Sequence, residues 1–93
     1  MEGKVVIVRT VSAGVHVGEL ASRTGREVTL HNATRVWRWR GANTLHELAL
    51  RGAAQEHTRI SAAVPEILLT QATEIIPCTP EASENLLHSR WPE

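Results

Sequence analysis

Residues 15–40 read VHVGELASRTGREVTLHNATRVWRWR, and this stretch decides the fold class. Two segments suited to strands flank Arg23-Thr24-Gly25, where the glycine can take the positive φ that a tight hairpin requires. The reading is one strand over 15–22, a second over 26–40, and a three-residue loop pairing Ser22 with Arg26. A two-residue Thr24-Gly25 loop would instead set Arg23 opposite Arg26, a like-charge pair across the strands. The three-residue register also gathers Gly18, Leu20, Val28 and Leu30 on one face, giving the hairpin an inner side.

Upstream, residues 4–10 (KVVIVRT) are β-branched and nearly continuous, which suits a strand covered on both faces, and Ser12-Ala13-Gly14 breaks it. Downstream, Gly41-Ala42-Asn43 ends the Trp-bearing strand. Thr44-Leu45-His46-Glu47 then has the form of a capping box opening a short helix with Leu45, Leu48 and Ala49 as its apolar stripe and Gly52 as its stop. Residues 53–58 are a polar connection. Short strands are expected over 59–64 and 66–70, separated at Pro65, and another over 72–77. Thr79-Pro80-Glu81 supplies an N-cap, an N1 proline and an N-terminal acid for a last helix running to about His88. The pattern predicts a single α+β domain over 1–93: a small bent antiparallel β-sheet or barrel-like core, with a short inserted helix and a C-terminal helix.

A chain of 93 residues makes one small domain, and Cys78, its single cysteine, rules out an intrachain disulfide. Domains this small bury only about 60% of their unfolded surface, so self-association is the expected support, as a dimer or a multiple of dimers. No apolar run approaches the roughly 18 residues that span a bilayer, and the start MEGKVVIV lacks a signal-peptide pattern, so no membrane role and a cytoplasmic location are expected. The formal net charge is zero, which disfavours duplex DNA as a partner. Charge is nevertheless uneven along the chain, with a net of +4 over residues 1–40 and −4 over 41–93. Such a split suits anion binding or self-complementary subunit contacts.

There is no Asp, no nucleophile elbow and no metal-ligand spacing, so neither an enzyme, a metal site nor a cofactor is expected. The five histidines at 16, 31, 46, 57 and 88 are scattered and read as surface residues, with His46 singled out for its place on the first helical turn. Cys78 reads as a small packed hydrophobe. The chain has three Trp and neither Phe nor Tyr, and two of the three stand at Trp37 and Trp39. Strand alternation would put Arg35, Trp37 and Trp39 on one face and Val36, Arg38 and Arg40 on the other. An indole stacks on a purine while a guanidinium forks onto a phosphate, so this strand is a candidate nucleotide platform; the competing reading packs the indoles in the core. Asn43, Thr44 and His46 at the helix start are candidate anion contacts, as are Arg9, Thr10 and Ser12 in the loop after the first strand. That loop lacks the spacing and the lysine of a P-loop, and an ordinary turn is its simpler reading.

The stretches VIVRTVSAGV (6–15), RVWRWRGANTL (35–45) and EIIPCT (74–79) resemble a family of small uncharacterised proteins carried by tailed bacteriophages and prophages, with Trp-x-Trp-x-Gly-Ala as the most specific segment. Small oligomeric phage proteins of this size include sponges that sequester nucleotide immune signals. The resemblance therefore implies a non-enzymatic counter-defence sponge in the bacterial host cytoplasm, holding a cyclic dinucleotide or a cyclic ADP-ribose type of ligand. The alternative is a phage structural or regulatory interaction module with no small-molecule ligand.

Overall fold

The computed structural model describes residues 3–39, 44–54 and 58–88, and over these the chain is α+β, as its patterning implies. Strands β1 (Val5–Thr10), β2 (Val15–Thr24) and β3 (Glu27–Arg38) form an antiparallel meander. Helix α1 (Leu45–Arg51), the two-residue strand β4 (Arg59–Ile60), β5 (Val64–Leu69), β6 (Ala72–Pro77) and helix α2 (Pro80–His88) follow. β4 and β5 both pair with the edge of β3 that β2 leaves free, while β6 crosses the molecule to pair with β1. Every ladder is antiparallel, so β5 and β6 run in the same sense, as one chain interrupted at Thr70-Gln71. This crossing curls the sheet without closing it. No ladder joins β5 to β6, although the Ala72 amide donates to the Arg26 carbonyl at 3.0 Å and ties the hairpin tip to β6. The fold is thus the open bent sheet rather than the barrel-like form.

The sheet buries apolar side chains on both faces, which explains the unbroken β-branched run of β1. Val6 and Val8 join Leu20, Val28, Leu30, Ala33 and Leu69 on one side. Ile7 turns to the other, where Val17, Val36, Ile60 and the helix residues Leu48, Ala49, Ala82 and Leu86 meet it. Full burial of a side chain such as Ile7 or Leu30 contributes about 1.5 to 3 kcal/mol.

The two helices are held by their caps. The Thr44 hydroxyl accepts from the Glu47 amide at 3.2 Å, while the Glu47 carboxylate faces Arg51 at 3.6 Å. The Thr79 hydroxyl accepts from the Ala82 amide at 3.1 Å and donates to the Leu50 carbonyl at 2.7 Å, so the cap of α2 also grips the end of α1. Asn85 completes the clamp: its Oδ1 accepts from the Ala53 amide at 2.8 Å and its Nδ2 donates to the Ala53 carbonyl at 3.1 Å.

Three local expectations are corrected. The β2–β3 loop is the two-residue Gly25-Arg26, with Thr24 paired to Glu27 and Ser22 to Thr29, not to Arg26. Gly25 stands at φ +60 in the first loop position, a turn whose twist matches the strands, and Arg26 sits in the loop rather than opposite Arg23. Register shifts between Val17 and Glu19 and between Leu20 and Ser22 mark one bulge on each strand, and the two cancel, so Leu20 still pairs with Leu30 on the inner face. Asn32, at φ +51, lies in the first of these bulges. Finally, Pro65 does not separate two strands. β5 runs through it because the ladder makes no rung between Asn32 and Pro65, so the missing amide costs nothing there.

Candidate functional site

Trp39 is where the alternation along the Trp strand fails. The β3–β4 register shifts between Val36 and Arg38, so Trp37 is an extra residue that β4 does not match. Beyond this bulge Trp39 packs, half-buried, against the same core as Val36, while Trp37 stays 53% exposed. The expected shared face of Arg35, Trp37 and Trp39 is therefore split, and Trp39 is separated from the other two.

Trp39 does not vanish into the core, because its remaining surface lines a depression of about 480 Å³ with Arg9, Val15, Thr44, Leu45, His46 and Glu74. β1 supplies Arg9, β2 opens with Val15, and β6 supplies Glu74. The start of α1 brings Thr44, Leu45 and His46. Four residues singled out from the sequence (Arg9, Trp39, Thr44 and His46) thus meet around one hollow although they come from separate stretches of chain. Arg9 and Glu74 are Cα partners across the β1–β6 ladder, and their side chains approach to 3.7 Å. That separation is an ion pair without a hydrogen bond, so both groups keep their capacity for other partners.

The other candidates fall elsewhere. Thr10 is buried, and its hydroxyl donates to the Gly14 carbonyl at 2.9 Å and accepts from the Ala13 amide at 2.8 Å. It ties the β1–β2 turn, and it lines a depression of about 420 Å³ beside Arg9 and Glu74 rather than the Trp39 hollow. Ser12 is exposed on that turn. Arg35 faces a different groove of about 250 Å³ with His16, Thr34, Ser61 and Val64. Arg38 is the Cα partner of Arg59 on β4, and both are exposed. Arg40 and Asn43 lie outside the described residues. The α1 helix is only seven residues long and Thr44 already caps it, so its free amides add no anion site of their own.

The histidine and charge readings also change. His16 is 2% exposed rather than on the surface, and its Nε2–H donates to the Ala13 carbonyl at 2.9 Å. Burial holds its pKa below the usual 6.5, and the Arg35 charge adds to this against the pull of the Ala13 hydrogen bond. His31 pairs with Glu66 at 2.9 Å, and His46 is exposed at the rim of the Trp39 hollow. Cys78 packs against the helix-covered core, as expected, and burial pushes its thiol up to about 11. The basic and acidic halves of the sequence interleave in space, because β6 lies beside β1 and β5 beside β3.

Sequence reasoning missed Val15, Leu45 and Glu74 as lining residues. Val15 follows from its pairing with Arg9 in the β1–β2 ladder and Leu45 from the start of α1, whereas Glu74 reaches the hollow only through the β1–β6 register, a contact between distant segments. Among the described residues no three His, Cys, Asp or Glu side chains gather as a metal site, and no helix is long and apolar enough to cross a membrane. No curated protein and no solved structure matches the chain. Residues 3–86 match the family described as Domain of unknown function (DUF6948), and the protein belongs to that family.

Proposed function

We propose that the protein is a non-catalytic module that captures a small nucleotide-derived ligand in the hollow between Trp39, Arg9 and the start of α1. The supporting observation is the convergence of Trp39, Arg9, Thr44, His46 and Glu74 on one hollow of about 480 Å³. The volume suits a small ligand. Each group has a task in this reading. The open part of the indole stacks on a base, an interaction worth about 1 to 3 kcal/mol. Arg9 offers charge and N–H donors to a phosphate, His46 offers a ring N–H, and the Thr44 hydroxyl, already accepting from Glu47, retains a donor.

In its biological form this is a sponge that sequesters a signal such as a cyclic dinucleotide or a cyclic ADP-ribose derivative, as the likeness to phage proteins implies. Self-association belongs to the same reading, because the hollow is open on one chain and a second copy would enclose it. Calorimetry against a panel of such nucleotides tests the proposal. Binding tighter than about 10 μM that Trp39→Ala removes is the expected result, and nothing tighter than about 100 μM for any panel member overturns it.

One observation favours a second reading. Trp37 is 53% exposed, beside Arg38 and its partner Arg59 on the two-residue edge strand β4. An exposed indole flanked by arginines is the composition of an interface centre, so a protein-interaction module would use this edge. In that case Trp37→Ala, and not Trp39→Ala, removes binding to the partner.

A further inference from the structure

The bulge at Trp37 also gathers charge. Val36 packs on the helix-covered core, so Arg35 before it turns to the opposite face. Ile60 packs on the same core, so Arg59 before it turns to that opposite face too, and Arg38 follows as the Cα partner of Arg59. Arg35 and Arg38 are an odd number of residues apart, and unbroken alternation would set them on different faces. The extra residue between them cancels this. The outer side of the β3–β4 edge thus carries three exposed arginines, with the 53% exposed indole of Trp37 standing between Arg35 and Arg38 along β3.

These charges are uncompensated. Among the described residues no carboxylate pairs with Arg35, Arg38 or Arg59. His16, the Cα partner of Arg35 on β2, is buried and supplies no negative charge. Like charges directly opposite on neighbouring strands destabilise a sheet, and Arg38 faces Arg59 in this way. An anion held between the two guanidinium groups relieves that repulsion.

Along the edge the groups run guanidinium, indole, guanidinium pair. Arg35 and Arg38 are three residues apart, about 10 Å along the strand. A free nucleotide carries its phosphates on one side of its base, and a run of acidic residues brings no ring to cover the indole. A single-stranded nucleic acid has a phosphate on either side of each nucleoside and bases free to stack, whereas in a duplex the bases already stack on one another. We infer that the Trp37 edge binds single-stranded nucleic acid, with a base stacked on Trp37, one flanking phosphate on Arg35 and the next between Arg38 and Arg59. This surface lies on the other side of the sheet from the helix-covered core on which Trp39 packs, so the inference is independent of the nucleotide reading of the Trp39 hollow. It gives the edge a nucleic acid in place of a protein partner.

The test is fluorescence anisotropy of a labelled oligothymidine of about twelve nucleotides, at several salt concentrations, with the full chain and the variants Trp37→Ala, Trp37→Phe and Arg38→Ala/Arg59→Ala. The substituted residues are exposed, and circular dichroism first shows each variant to be folded. The native chain is expected to bind tighter than about 10 μM at low salt, and Trp37→Ala to weaken this about tenfold while Trp37→Phe keeps most of it. The double arginine variant should weaken binding and flatten the slope of log affinity against log salt by about 0.7, the share of one phosphate on a single strand. No binding at about 100 μM, equal binding by the native chain and all variants, or equal competition by a duplex of the same length overturns the inference. Tighter binding of a poly-glutamate peptide than of the oligonucleotide overturns it as well and assigns the edge to an acidic protein segment. Each of these outcomes leaves the Trp39 hollow to its own test.

Discussion

Glu74 Oε1 lies 3.7 Å from Arg9 Nη1, and the two residues are direct partners across the β1–β6 ladder. Their meeting is therefore set by sheet register and not by the reach of two long side chains. Their side chains are 41% and 62% exposed, so the pair is screened and is worth little to the fold. Arg9→Ala is expected to shift unfolding stability by less than about 0.5 kcal/mol and to weaken nucleotide binding severalfold. Denaturant titration read beside calorimetry checks both halves. A large loss of stability would make Arg9 a structural residue.

The bulge at Trp37 predicts that the two neighbouring indoles differ sharply in energetic weight. Trp39 packs on the core and Trp37 does not, so Trp39→Ala should cost about 2 to 3 kcal/mol and Trp37→Ala less than about 0.5 kcal/mol. Urea midpoints of the two variants decide it, and equal losses would contradict the split of faces. The binding loss of Trp39→Ala is to be read on protein shown to be folded.

Gly52 ends α1 at φ 80 and ψ −164, a region that only glycine occupies readily. A Cβ there would also collide with the Asn85 side chain, the group that holds both backbone atoms of Ala53. Gly52→Ala should destabilise by about 2 to 4 kcal/mol, more than Asn85→Ala, which loses hydrogen bonds without adding strain. Thermal melts of the two variants give the order.

His16 makes stability fall on the acid side. Its folded pKa is lowered from 6.5 by burial, so above pH 6.5 the ring is neutral in both states and the fold is unaffected. Below pH 6.5 the unfolded chain gains a proton that the folded chain refuses, and the loss grows until the folded pKa is reached. A nuclear magnetic resonance titration of the ring should show a midpoint below 6.5. A midpoint above it would contradict the buried, neutral ring donating to Ala13.

The elements of this fold were legible because their signals are local. The run KVVIVRT and the Thr44 and Thr79 caps each act within a few residues and appear where the pattern places them, and the Gly25 turn appears with its loop moved on to Gly25-Arg26. What escaped was set by distant pairings. The bulges at Trp37 and Asn32 arise from how β3 must meet β4, β2 and β5, and no residue type announces them. His16 looks like a polar strand residue until Arg35 and the β1–β2 turn close over it. Of the candidate hollow, the Arg9, Trp39, Thr44 and His46 positions could be named from residue chemistry. Glu74 could not, since only the crossing of β6 brings it beside Arg9.

The most direct test of the central claim is a nitrogen-15 correlation spectrum of the protein titrated with ADP. Saturable shifts of the Trp39 indole N–H and of the Arg9, Thr44, His46 and Glu74 amides, with Trp37 and Leu68 unmoved, are the predicted result. Shifts confined to Trp37 and the β4 edge, or none at millimolar ADP and none with the cyclic nucleotides, would contradict it.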